Sequence, residues 1–320
     1  MMITRRNFLR ETLGAGAVVA MSSGLAKAPQ PATAVDFEVP AGACDCHTHV
    51  FGDPEKYPFF SGRTYTPEPA TSEELAAMHR RLHLQRVVVV QPSVYGTDNR
   101  ATLDAVQARG ADARGIAVID EKTTEAEIDA MGELGICGIR LNLATGGTDD
   151  PGLARARLIA AIKRMSRRNW HVQIFTSLAV IAALRDIVAT SPVMVVIDHF
   201  GGAKAALGLE QAGLADLLAL VQSGRVYVKI SGAESASNRA PDFSDFVPLA
   251  RALIAANPDR VIWGTNWPHP GGSGAKSPTA LAPSRPIDDG QVMNQLAVWA
   301  PDAAIRKKIL VENPARLFGF

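Results

Sequence analysis

The chain has 320 residues, 47% of them hydrophobic and 20% charged, the balance of a globular protein with room for one α/β barrel or two small domains. That balance excludes a disordered, collagenous or membrane-bundle chain. Its 33 Lys and Arg against 32 Asp and Glu leave a net charge of +1, so no basic footprint points to nucleic acid or to an anionic membrane surface.

The first 28 residues stand apart. Thr4-Arg5-Arg6-Asn7-Phe8-Leu9-Arg10 precedes a weakly apolar run from Leu13 to Leu25, followed by Ala26-Lys27-Ala28. This reads as a twin-arginine export signal with an A-x-A cleavage site. The run is shorter than the roughly 18 residues of a spanning helix and is diluted by Gly and Ser, so no membrane anchor is expected. The expected partner during export is the twin-arginine translocase, and the expected destination is the periplasm. A Pro/Ala-rich linker over 29–40 follows, and 41–320 is expected to form a single domain.

From there, short β-branched runs alternate with Ala/Leu-rich stretches of helical period. The strand candidates are Ala43–His49, Arg86–Gln91, Gly115–Asp120, Ile136–Asn142, His171–Thr176, Val193–His199, Arg225–Ser231 and Arg260–Asn266. Helical candidates lie near Ser72–Leu84, Asp98–Arg109, Glu125–Leu134, Leu153–Arg168, Leu178–Ala189, Glu210–Gln222, Ser244–Ala256 and Asp289–Ala300, with a last one at Asp302–Val311. Eight strands each followed by a helix predict one (β/α)8 TIM barrel, with a doubly wound open sheet as the competitor.

Period-2 alternation assigns faces within each strand. Taking the last polar residues as inward gives His47 and His49; Gln91 and Ser93; Asp120; Arg140 and Asn142; Gln173; His199; Lys229 and Ser231; and Asn266. Nearly every strand begins apolar and ends polar, which suits the C-terminal mouth of a barrel, where such folds carry their chemistry. The same parity turns Cys46, Cys137, Ile139 and Leu141 away from the interior. The three cysteines read as buried thiols, since no C-x-x-C occurs. Long connections at Val50–Thr71, Asn142–Leu153, Phe200–Gly208, Gly232–Phe243 and Trp267–Asp288 follow strands and so lie on the mouth side. Gly271–Ser277 looks like a phosphate loop, but no strand feeds directly into it and Ala275 precedes Lys276, so it is read as an ordinary loop.

The strongest local signal is Asp45-Cys46-His47-Thr48-His49, which alternation places with Asp45, His47 and His49 on one face, two imidazoles one strand repeat apart. With this motif the chain resembles the amidohydrolase superfamily, in the lactone-hydrolase branch that includes 2-pyrone-4,6-dicarboxylate hydrolase. The resemblance runs from Cys44-Asp45-Cys46-His47-Thr48-His49-Val50-Phe51-Gly52 to Glu312-Asn313-Pro314-Ala315-Arg316-Leu317-Phe318-Gly319-Phe320. Between them lie Gln91-Pro92-Ser93-Val94-Tyr95-Gly96, Gly138-Ile139-Arg140-Leu141-Asn142, Ile197-Asp198-His199-Phe200-Gly201, Val228-Lys229-Ile230-Ser231-Gly232 and Trp263-Gly264-Thr265-Asn266-Trp267-Pro268-His269. It implies a (β/α)8 hydrolase whose first-strand histidines, sixth-strand histidine and eighth-strand acid surround a scissile lactone, worked without a metal.

Two departures qualify that implication. The family's Asp at the end of the eighth strand is Asn266 here; a carboxylate can take a proton from attacking water, whereas a carboxamide can only orient it. Three readings stay open: another base takes over, the chain is a binding or isomerising relative, or the residue was substituted to trap a ligand. His199 is the candidate replacement base, with Asp45 or Asp120 holding its far nitrogen. After the seventh strand the resemblance implies an aromatic–arginine pair for a substrate carboxylate, but the chain reads Glu234-Ser235, with Arg239 a few residues on. A different substrate, sugar-type lactones included, follows.

For a metal, His47, His49 and His199 could hold one zinc or manganese ion, but Asn266 removes the anionic ligand, and Gln173 and Phe175 stand where a bridging Lys or His would be. A metal-free site is the expectation. His171, at the start of its strand, reads as floor packing, and His79 and His83 as a solvated helix face. Without G-x-S-x-G, and with Cys46 turned away, a covalent serine or cysteine hydrolase is disfavoured.

The predicted activity is opening of the lactone of a small carboxylic or sugar acid by direct addition of water. His47, His49 and His199 polarise the carbonyl or carry protons, and Asn266 positions the water. Arg140 anchors an acidic group, and Ser93, Tyr95, Tyr57, Lys229, Asn142, Gln173 and His269 complete the expected substrate contacts. The alternatives are a lactone isomerase using a substrate hydroxyl as nucleophile, a periplasmic binding relative without catalysis, and a metal-dependent decarboxylase of the same superfamily.

Overall fold

The computed structural model describes residues 28–144, 150–271 and 277–320. The export signal, apart from its last residue, and most of the Gly271–Ser277 loop lie outside the described residues.

Each predicted apolar run contributes a strand to one eight-stranded parallel sheet in chain order. The strands are β1 (Cys44–Thr48), β2 (Arg86–Val90), β3 (Ala113–Ala117), β4 (Ile136–Asn142), β5 (His171–Phe175), β6 (Val195–Ile197), β7 (Val226–Ile230) and β8 (Val261–Trp263). The ring closes between β8 and β1, where Asn266 N donates to His47 O at 2.9 Å and His49 N to Trp267 O at 2.9 Å. Gly264 permits this approach, because a Cβ there would lie 2.7 Å from His47 N. The expected TIM barrel is therefore the fold, and the open sheet is not.

Helix starts follow local chemistry. Thr71 with Glu74 opens α1 (Ser72–Arg81) and Thr124 with Glu127 opens the helix Glu125–Glu133, each as a full capping box. Asp150 caps a helix whose first residue is Pro151. The stretch predicted as one helix over Leu178–Ala189 is two, Leu178–Ala183 and Arg185–Thr190, bent at Leu184, whose N–H reaches both Val180 O and Ile181 O. The C-terminal helices end in Phe318, which closes the barrel floor against His171 with ring centroids 5.4 Å apart.

Two faces of the sheet carry two apolar layers. Inside, Cys44, Cys46, Val88, Val90, Ile116, Val196, Tyr227, Ile262 and Phe318 form one buried cluster; outside, Ile139, Val172, Ile174, Val228 and their neighbours pack against the helices. Cys46 and Cys137 depart from the predicted parity. The β1–β2 register slips one residue between Asp45 and Thr48, and the β3–β4 register slips between Ile136 and Gly138. One extra residue inverts every side chain that follows it. Cys46 therefore joins Cys44 in the interior, Cys137 packs against the same cluster, and Asp45 leaves the face of His47 and His49 to meet His79 Nε2 of α1 at 3.2 Å. His79 is buried as Asp45's partner, not solvated.

Residues 29–40 are bound along the barrel, unlike a free linker. Pro29 O accepts from Trp267 Nε1 at 2.8 Å, Pro31 O from Arg81, and Thr33 N and Oγ1 donate to Asp288 at 3.0 and 2.6 Å. A Pro/Ala-rich composition hides this, because the partners are backbone groups that every residue carries.

Candidate active site

At the mouth, the polar strand ends leave the ladder. His199 and Asn266 both adopt positive φ, 48° and 68°, so the chain turns out of extended geometry just where β6 and β8 end. That turn brings both Asp198 and His199 to the site, although strand parity would admit only one.

Asp198 is the hub. It is fully buried, with Oδ2 accepting from Arg140 Nε at 3.0 Å and Gln173 Nε2 at 2.9 Å, while Lys229 Nζ lies 3.5 Å from Oδ1. Lys229 also donates to Gln173 Oε1 at 2.7 Å and to His47 Nδ1 at 3.2 Å. Burial works against the Asp198 carboxylate, but the Lys229 and Arg140 charges, with the His47 ring 3.3 Å from Oδ1, win and hold it well below the usual carboxylate range. Lys229 and Gln173, expected at the substrate, are buried beneath the cavity and act on Asp198.

Three imidazoles sit above this hub. The His47 ring lies 4.4 Å from that of His199 and 5.0 Å from that of His49, centroid to centroid. His49 Nδ1 donates to Val90 O at 2.8 Å, which leaves Nε2 as the unprotonated nitrogen. His47 Nδ1 stands between Lys229 Nζ at 3.2 Å and Asp198 Oδ1 at 3.3 Å, and its Nε2 is a buried atom with no hydrogen-bond partner. Burial, reinforced by Lys229 at His47 and by Arg140 at His49, keeps both rings neutral: His47 is pushed well down and His49 falls to about 3. Burial also lowers His199, whose Nδ1 meets Ser231 Oγ at 2.9 Å. Neither Asp45 nor Asp120 holds that nitrogen; Asp45 is bonded to His79 and Thr265, and exposed Asp120 caps a turn through Lys122 and Thr123.

A second polar chain enters from β7 and β8. Asn266 Nδ2 donates to Glu234 Oε1 at 2.7 Å; the same oxygen lies 3.0 Å from His269 Nδ1, and His269 Nε2 lies 2.9 Å from Asp289 Oδ1. Burial alone would lower His269, but the carboxylates of Asp289 and Glu234 on either side push it up to about 10. Burial would raise Glu234, yet the His269 charge and the bonds from His269 and Asn266 hold it below its ordinary value.

Of these groups His49, His199, Arg140, Glu234, Asn266 and His269 border a cavity of ≈ 830 Å³, within the range of small-molecule sites, whereas His47, expected at the substrate, is fully buried and does not line it. Ser93 and Asn142 line it as well. Tyr57 and Tyr95 do not: the Tyr57 hydroxyl donates to Asp104, and the Tyr95 oxygen accepts from Gly52 N within the core. Tyr65 lines the wall instead, hydrogen-bonded to Ser93 and pushed up by burial to about 12. A short parallel pairing of Thr66–Pro67 with Leu281–Ala282 ties its loop to the one that follows β8. That later loop supplies Arg285, whose Nη1 donates to Glu234 O at 2.7 Å, and the loop after β6 supplies Lys204. Both cations escaped the sequence reading, which had looked to Arg239.

As for a metal, His47, Asp198 and His199 offer ligand atoms within 4.8 Å of one another. His49 does not belong to this group; Asp198 replaces it. An ion there would face the two fixed positive charges of Lys229 and Arg140 that Asp198 already balances, while His47 Nε2 and Asp198 Oδ1 are buried atoms with no hydrogen-bond partner.

Residues 44–320 match a family described as Amidohydrolase. The chain is 35% identical over 286 residues to a 4-sulfomuconolactone hydrolase of Rhizobium radiobacter, covering 89% of this chain and 92% of that one. It is 34% identical over 291 residues to a 2-pyrone-4,6-dicarboxylate hydrolase of Comamonas testosteroni, covering 88% and 92%. A probable 2-pyrone-4,6-dicarboxylic acid hydrolase from Acinetobacter baumannii, solved with citric acid bound, superposes with a TM-score of 0.74 at 27% identity, covering 87% of this chain and 100% of that one.

Proposed function

The chain belongs to the amidohydrolase family, and we propose that within it the protein opens an anionic lactone by adding water, without a bound metal. The observation that carries this reading is the mouth itself. Neutral imidazoles face fixed cations across one cavity, and the relatives similar over nearly the whole chain are named for lactone hydrolysis.

The substrate's acid group sits on Arg140 and Arg285. Arg140 gives Nε to Asp198 and lines the cavity, where its guanidinium meets a carboxylate or sulfonate; Arg285 is held by Glu234 O. With Lys229 donating to Nδ1, His47 holds its proton on Nε2; the lactone carbonyl oxygen takes that buried N–H once the His49 and His199 rings admit it, and negative charge growing on it is met by Lys229 and Arg140. These fixed charges do what an ion's charge would do, so no step passes through a metal. Asn266 orients the water.

The test is a pH-indicator assay of the chelator-treated protein on 4-sulfomuconolactone, 2-pyrone-4,6-dicarboxylate and uncharged γ-butyrolactone. Acid release from a charged lactone, unchanged by chelation, is expected. Activity that is lost on chelation and restored by zinc or manganese would overturn the metal-free part, and no hydrolysis of any lactone would overturn the whole.

We also propose export to the periplasm, on the strength of Arg5-Arg6 and the Ala26-Lys27-Ala28 site. The lactonase activity is expected in the periplasmic fraction, and the Arg5→Lys/Arg6→Lys chain is expected to retain it in the cytoplasm. Equal distribution of the two chains would refute this.

A further inference from the structure

We propose that Glu234 accepts the proton of the attacking water, doing from the loop after β7 what the carboxamide at the end of β8 cannot. This inference rests on the lactonase reading above. Among the described residues that line the cavity, Glu234 is the one carboxylate. It reaches the mouth through a tight turn, Ala233–Ser235, that follows Gly232 at φ 70°. A Cβ on Gly232 would lie 2.7 Å from His199 Nδ1, so only glycine lets the loop pass this close to the imidazoles. Arg285 pins the turn through the Glu234 carbonyl.

The hydrogen bonds from the neighbouring groups divide the carboxylate. Asn266 Nδ2 and His269 Nδ1 both meet Oε1, which leaves Oε2 with neither. Giving its amide nitrogen to Glu234 leaves Asn266 with Oδ1 as acceptor on the other side. A water with two hydrogens then finds two acceptors on adjacent groups, Asn266 Oδ1 and Glu234 Oε2. His199 is the poorer acceptor, since its Nδ1 meets the Ser231 hydroxyl and no carboxylate bonds it to stabilise an imidazolium.

The proton balance is complete with water and lactone alone. The water oxygen bonds the carbonyl carbon as the π pair moves to oxygen, and one water proton passes to Glu234 Oε2. When the tetrahedral adduct collapses, the ring C–O bond breaks and the leaving oxygen takes that proton back. The product is a hydroxy acid, or its keto form if the ring oxygen leaves as an enol, and its new carboxyl group loses a proton to solvent. His269 and Asp289 are positioning residues: the imidazolium between the two carboxylates fixes Glu234 and keeps it ionised. The titratable and charged groups that face Glu234 are His269, with Asp289 behind it, Arg285 at its carbonyl and neutral His199 across Gly232.

The experiment compares wild type, E234Q and H269Q on whichever of 4-sulfomuconolactone and 2-pyrone-4,6-dicarboxylate the wild type opens. In E234Q, kcat is expected to fall about 10²–10⁴-fold, while calorimetric binding of the same lactone stays within about 3-fold. In H269Q, loss of the neighbouring cation lets the Glu234 pKa rise, so the acid limb of kcat/KM moves to higher pH. E234Q turnover within about 3-fold of wild type would overturn the proposal and leave the lactonase standing, because a lost general base costs far more. An unmoved acid limb in H269Q would also overturn it, and that profile carries the test should E234Q not fold. A wild type that opens neither lactone defeats the functional reading itself, which separates the two failures.

Discussion

Asp198→Asn is expected to destabilise the fold by about 3–5 kcal/mol, and adding Lys229→Met is expected to recover most of that loss. The two charges are wholly buried, and with Arg140 they form a compact group of two cations on one carboxylate. An isosteric Asn keeps the shape but removes the one anion, leaving Lys229 in low dielectric beside Arg140. Removing one partner of a buried pair costs more than the pair contributes, because the partner left behind has lost its water as well. Met fills the space of the Lys stem without a charge, so the double variant relieves the stranded ammonium. Urea unfolding of the three chains measures this directly. A single variant within about 1 kcal/mol of wild type would show that the charge is not what matters, since surface-like substitutions already fall near that range. A double variant as unstable as the single would shift the cause to the lost Gln173 bond.

The importance of Asp198 was not legible in the sequence, for a physical reason. Alternation assigns one face per residue only while the backbone stays extended, and in Asp198-His199 it favoured the histidine. The left-handed φ of His199 lets both side chains reach the mouth. The same limit explains Cys46 and Cys137, where one-residue register slips invert parity. By contrast the barrel itself was legible, because each strand is an apolar run that must be buried on both faces, and the polar residue ending it marks the mouth. Loops carry no such period. Nothing local separates Tyr57 from Tyr65; only the pairing of residues 66–67 with 281–282 sets Tyr65 at the wall. Glu234 was visible as a departure from the family pattern, yet its bond to Asn266, 32 positions away, appears only once both loops are folded. His79 misled in another way: its Arg neighbours are polar, but the helix face it shares with Leu75 and Met78 is buried.

His47→Leu is expected to lower kcat by about 10²–10³-fold with little change in KM, whereas His47→Gln loses only about 10-fold. An ammonium has no lone pair, so a Lys229 bond to Nδ1 at 3.2 Å puts the imidazole proton on Nε2, whereas a bond from Nδ1 to Asp198 Oδ1, 3.3 Å away, would hold it on Nδ1; the donor role requires the first. Burial together with the Lys229 charge then keeps the ring neutral, so it holds one proton and presents it as a donor. No protein acceptor meets that donor, which would cost about 1–3 kcal/mol if it stayed unpaired. A carbonyl oxygen admitted past the His49 and His199 rings would satisfy it, and more strongly as the oxygen becomes an oxyanion, which places the effect in kcat. Gln offers an amide N–H near the position of Nε2, while Leu fills the volume and offers nothing. Steady-state kinetics on the lactone that the wild type opens decide the point. Equal losses for the two variants would mean that His47 acts through its ring shape or through a proton it gives up, and the donor role would fall.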